Sequence, residues 1–122
     1  IVNFYHDLFR CDDDLVQSRL PFHPSKPSDY QVFCQTREEA DYKKAYALLK
    51  QNLDHMGVRV PTLFKQYVEV SKPGGCQFLG FNIDPDFSNC IDAMILVHIN
   101  ELYPKKRDRY ITRHNKKIEQ AA

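Results

Sequence analysis

No stretch of this sequence is both long and apolar enough to cross a bilayer as a helix. The run Ala93 to Val97 covers five residues, against the roughly 20 that a membrane-spanning helix needs. Cysteine is sparse: Cys11, Cys34, Cys76 and Cys90 contain no C-x-x-C pair, which argues against zinc-ribbon and thioredoxin-like readings. Histidines 6, 23, 55, 98 and 114 fall at no metal-ligand spacing, so no metal is expected. Glycine is scarce as well. The adjacent pair Gly74-Gly75 follows a predicted helix instead of preceding one, the wrong polarity for cradling a phosphate. Neither sign of charge dominates, with 17 basic and 16 acidic residues and a net charge of +1, which disfavours nucleic acid as a partner.

What is present fits one folded domain. The 122 residues are 43% hydrophobic, and a chain of this size buries roughly two-thirds of its surface on folding. Eight Phe and seven Tyr exclude wholesale disorder. Cys76 and Cys90 lie in or beside apolar segments and read as small core hydrophobes, and the cysteines as free thiols of a reducing, cytoplasmic setting. The chain opens at Ile1 without an initiator Met or an N-cap, and Val2, Tyr5, Leu8 and Phe9 already share a helical stripe. The expectation is therefore a piece of a larger domain.

Charge is unevenly spread. Residues 104–122 hold seven bases (Lys105, Lys106, Arg107, Arg109, Arg113, Lys116, Lys117) against Asp108 and Glu119. Such a tail reads first as a solvated helix. It also suits an anionic membrane surface or an acidic carrier protein.

Local patterning predicts the elements. Asp12-Asp13-Asp14 marks a break after the opening helix, with one of the three as a cap. Pro21, Pro24 and Pro27 exclude a regular helix there, and 20–35 reads as a long loop with an extended stretch from Tyr30 to Cys34. Thr36 and Glu39 fit a capping box. Tyr42, Tyr46, Leu49, Leu53 and Met56 then form one apolar stripe, which Gly57 ends. Packing against the domain's own sheet explains that stripe better than a dimer seam, because it spans only about two heptads. Pro61 opens a helix with Leu63, Phe64, Tyr67 and Val68 as its buried face, closed by Pro73-Gly74-Gly75. Two strands follow. Cys76 to Ile83 alternates, with Phe78 and Gly80 on one face and Leu79, Phe81 and Ile83 on the other. Ile91 to Ile99 is apolar enough to be covered on both faces. The two strands pair as an antiparallel hairpin, Pro104 opens a basic helix, and the fold class is α+β.

The hairpin connection is the most distinctive segment. Asn82, Asp84, Asp86, Ser88, Asn89 and Asp92 are all residues that hydrogen-bond to nearby backbone. Asp84, Asp86, Ser88 and Asp92 match EF-hand positions 1, 3, 5 and 9, but position 6 is Asn89 and position 12 is Ile95, so calcium is not supported. Asx turns supply a structural reading of the loop, and a ligand-facing role is the alternative.

The motif V-P-x-L-x-K-x-Y at Val60–Tyr67, then Leu79-Gly80-Phe81-Asn82-Ile83-Asp84-Pro85-Asp86-Phe87-Ser88-Asn89-Cys90-Ile91-Asp92, then Pro104-Lys105-Lys106-Arg107, resembles bacterial proteins labelled hemolysins. Those are similar to the ornithine-lipid-synthase type of GNAT-like N-acyltransferase. The resemblance implies a partial GNAT-like α/β sandwich, in which helices pack on a C-terminal antiparallel hairpin and the catalytic half lies upstream. It implies transfer of a fatty acyl group from an acyl-thioester, on acyl carrier protein or CoA, to an amine in lipid biosynthesis. This chain alone would bind no cofactor and be inactive. Asn82, Asp84, Asp86, Asn89 and Asp92 would lie beside the acceptor, and no catalytic residue can be assigned. Lys105, Lys106, Arg107 and Arg109 would contact the carrier or a membrane, giving a cytoplasmic protein peripheral to the inner membrane. Lysis by the chain itself is not expected, because the tail's apolar face is limited to Tyr110, Ile111 and Ile118. The alternative is a non-catalytic interaction module that forms a homodimer.

Overall fold

A computed structural model describes residues 1–24, Tyr30 and 38–121. The element order is α1 (Val2–Phe9), α2 (Glu39–His55), α3 (Thr62–Val68), β1 (Cys76–Asp84) and β2 (Cys90–Val97). A terminal helix follows, made of α4 (Pro104–Arg107), a π segment (Asp108–Thr112) and α5 (Arg113–Ala121). The two strands form one antiparallel sheet, so the α+β class holds.

The short helix α1 organises the core because it carries aromatics in successive positions. Phe4 and Tyr5 are both fully buried. Phe4 meets Tyr30 at 5.1 Å between ring centroids, and Tyr42 and Tyr46 of α2 at 6.5 and 6.3 Å. Tyr5 meets Phe64 of α3 at 5.1 Å and stacks on Phe78 of β1 at 5.2 Å. One helix thus holds two other helices and the sheet, through offset and edge-on ring contacts. The expected stripe of α1 contains Tyr5 but not Phe4, the ring with the widest set of aromatic neighbours.

Helix α2 starts later than its capping box predicts. Glu38 is the N-cap, with no side-chain hydrogen bond, and Thr36 lies outside the described residues. Its end follows the expectation. Gly57 has φ +67°, its N–H reaches the Asp54 carbonyl at 3.2 Å, and the Val58 N–H reaches that of Leu53 at 3.0 Å. That pair of bonds is a Schellman closure. Leu49 and Leu53 of the stripe are buried, together with Ala45, while Met56 is exposed. The stripe therefore packs inward.

Four further expectations are corrected. On α3 only Val68 is buried and Phe64 half-buried, while Leu63 and Tyr67 face out. The helix ends at Val68, well before Pro73, and of the broad arc the four residues cover only the i, i+4 pair Phe64 and Val68 is turned to the core. The alternation of β1 is broken by a bulge between Phe78 and Gly80. The extra residue, Leu79, brings Phe78 and Phe81 to one face, where they stack at 5.6 Å and are both buried. β2 is covered on one side only, with Met94 58% exposed and its strand ending at Val97. Among the described residues no second layer lies over that face. Finally, Cys76 is buried but Cys90 is exposed, because Cys90 pairs with Asp84 at the solvent end of the hairpin. Asp12 and Asp13 form a bend without a following helical turn, and most of the predicted Tyr30–Cys34 stretch lies outside the described residues.

Candidate functional site

The hairpin loop takes the shape its polar residues dictate. Asp84 caps a 3-10 turn over Pro85–Phe87, its Oδ1 accepting from the Asp86 N–H at 3.0 Å. Pro85 begins the turn, where a missing N–H costs nothing. Ser88 and Asn89 then both adopt left-handed conformations, with φ 55° and 56°, and Asn tolerates that region better than most residues. Asn82 has a different task. Its Oδ1 accepts from Ser18 Oγ at 2.6 Å and from the Leu20 N–H at 2.9 Å, while its Nδ2 donates to the Ile83 carbonyl at 3.2 Å. Asn82 is thus a clamp that ties residues 18–20 to β1. Asp92 lies opposite it on β2 and is exposed.

The five loop residues do not converge on a cavity. Asn82 and Asp84 are committed to backbone and loop, Asp86 and Asn89 are exposed at the tip, and none lines either cavity described below. The basic candidates sit at the start of the terminal helix, with Pro104 in its first turn. Lys105, Arg107 and Arg109 are exposed and Lys106 is half-buried. Arg109 covers the Tyr110 ring at 5.3 Å, and Arg113 pairs with Asp108 at 3.7 Å. These are solvated contacts of low energetic weight.

A cleft that sequence patterning missed lies on the other side of the sheet's edge. The N–H groups of Cys11 and Phe22 donate to the carbonyls of Phe78 and Phe81, both at 3.0 Å, and Ile83 N–H donates to the Leu20 carbonyl at 2.8 Å. Between these anchors, residues 12–19 leave the edge of β1 just where the bulge sits. The gap is a cleft of about 630 Å³, lined by His6, Arg10, Cys11, Ser18, His23, Leu79 and Gly80 among others. His6 Nδ1 lies 3.2 Å from Asp7 Oδ1, and the Asp7 side chain is 8% exposed, so a buried carboxylate orients the imidazole. Arg10 pairs with Asp12 at 3.3 Å. The signal for this cleft in the sequence is weak: His6, Arg10 and Cys11 share one end of α1, but nothing local announces His23 or the bulge.

Among the described residues, no group of three His, Cys, Asp or Glu side chains is placed to hold a metal ion. No described helix is long and apolar enough to cross a membrane. No family model, curated protein or solved structure matches this chain.

Proposed function

We propose that this chain is the C-terminal portion of a GNAT-like N-acyltransferase, which moves a fatty acyl group from an acyl-thioester to an amine in lipid biosynthesis. In that reaction the amine nitrogen attacks the thioester carbonyl, the C–N bond forms as the C–S bond breaks, and the amine loses a proton as the thiol leaves. The observation that carries the reading is the joint between the two motif segments. Phe64 of the first packs edge-on to Phe78 at 5.7 Å, next to the bulge that begins the second. The first resembling segment therefore packs on the strand that carries the second, and the two are not separate surface stretches. The bulge cleft, with Arg10, His6 and His23 on its walls, has room and polarity for part of an acyl donor. Lys105, Lys106, Arg107 and Arg109 would meet an acidic carrier protein or an anionic membrane.

The test is an acyl-transfer assay on the complete product of the gene that encodes this chain. Long-chain acyl-CoA and acyl carrier protein are offered as donors, with ornithine among the polar amines. Amine-dependent thiol release, matched by an amide product in the mass spectrum, is the expected result. A folded protein that releases no thiol with any amine, yet grows in mass with concentration, overturns the reading in favour of a homodimeric interaction module.

A further inference from the structure

A smaller cavity of about 300 Å³ shares no lining residue with the bulge cleft. Rings of Phe9, Tyr42 and Tyr103 supply its aromatic walls, and Glu39 and Glu69 its carboxylates, with Lys43 at the same opening. One of the carboxylates is held in place by a phenol. Tyr42 OH donates to Glu69 Oε1 at 2.9 Å, and Tyr103 lines the cavity together with Glu39. Two lysines sit on the solvent side: Lys43 Nζ is 3.0 Å from Glu39, and Lys65 Nζ is 3.7 Å from Glu69. The side chains of these lysines are 71% and 46% exposed, so their hold on the carboxylates is screened and exchangeable. Ser71, another lining residue, is 3% exposed, and its hydroxyl has no hydrogen-bond partner among the described residues. A buried hydroxyl without a partner is uncommon enough to need a reason.

We propose that this cavity binds a small organic cation, an alkylammonium group whose charge meets Glu39 and Glu69 while its carbon chain lies against the rings. Aromatic faces attract a cation, and the two carboxylates, Glu69 fixed by Tyr42, supply charge-assisted acceptors. An anion of the same size would face both carboxylates at close range. A purely apolar guest would leave the polar walls unpaired. The volume is at the small end for ligand cavities, which restricts the guest to a few carbons beside the charged group. The assignment rests on this cavity alone and is independent of acyl transfer.

The test titrates the full chain with n-butylammonium, n-butanol and butyrate, followed by NMR shifts of the Tyr42 and Tyr103 rings. Saturable shifts with n-butylammonium are expected, with much weaker response to n-butanol and none to butyrate. Glu69→Gln should weaken binding roughly 5- to 10-fold, less than a buried charge-assisted contact would give because the carboxylate is partly solvated. Glu39→Gln, at the exposed start of α2, carries the same test should Glu69→Gln fail to fold. Equal binding of n-butanol or butyrate, absence of saturable shifts, or unchanged affinity in both variants would each overturn the assignment.

Discussion

The phenol of Tyr42 donates a 2.9 Å hydrogen bond to Glu69 Oε1 and so links the first turn of α2 to the C-cap of α3. A second core tyrosine is in the opposite situation. Tyr5 is fully buried, and its hydroxyl has no hydrogen-bond partner among the described residues. The two tyrosines share the same aromatic cluster, yet their hydroxyls should contribute to stability with opposite sign.

Tyr42→Phe removes a donor to a carboxylate that is partly solvated, and should cost about 1 kcal/mol, less than a fully buried charged acceptor would give. Tyr5→Phe removes a desolvated hydroxyl and keeps the ring, so it should leave stability unchanged or raise it. Thermal melting of the two variants, side by side, decides the point. A drop for Tyr5→Phe as large as that for Tyr42→Phe would mean that its hydroxyl has a partner in solution.

Burial pushes the Cys76 thiol from its ordinary 9.0 up to about 12, and burial likewise raises Tyr5 and Tyr42, with Glu69 adding to both. These groups hold their protons longer in the folded chain than in the unfolded one. Their contribution is intact below the unfolded values, and stability falls as pH rises from 9 towards 12 and beyond. Cys76→Val should flatten the first part of that decline in a melting series against pH. At neutral pH the exposed Cys90 should react with a thiol reagent long before Cys76. Early labelling of Cys76 would show that β1 opens readily.

Asn82 and Asp84 stand next but one in the strand and are separable by conservative exchange. Asp84→Asn keeps the oxygen that caps Asp86, so it should melt like the parent, whereas Asp84→Ala should lose about 0.5–1 kcal/mol. Asn82→Ala removes a clamp with three hydrogen bonds and should cost more, about 1–3 kcal/mol, by freeing residues 18–20 from the edge of β1. Proteolysis should then cut near Leu20 first. Equal melting shifts for Asp84→Asn and Asp84→Ala would count against the capping account.

Much of the fold is legible in the residues themselves, where the signal is local. Gly57 ends α2 and Pro104 starts the last helix because each fits one backbone position that few other residues fit. Asp84 was legible as an Asx turn for the same reason. The reading fails where a tertiary neighbour decides. Phe4 lies off the apolar stripe of α1, yet three tyrosines from distant segments surround it. Asn82 resembles a site residue in composition, but its partners are 62 and 64 positions away. The bulge cleft and the ammonium cavity are likewise made by segments that no window of sequence joins.

The bulge at Leu79 also changes how the hairpin's pattern must be counted. Residues Cys76 and Phe78 before it, and Phe81 and Ile83 after it, face Val97, Ile95, Ala93 and Ile91 across the pair. Removal of Leu79 alone, with every other residue kept, would place Phe78 and Phe81 two residues apart and restore strict alternation with the same facing. Phe81 would stay in the core and Asn82 on the outer face. The inner surface of this hairpin is thus specified by an odd spacing that only the bulge makes compatible with a pleated strand, so a single-residue deletion there would straighten the edge of β1 without changing its inner surface.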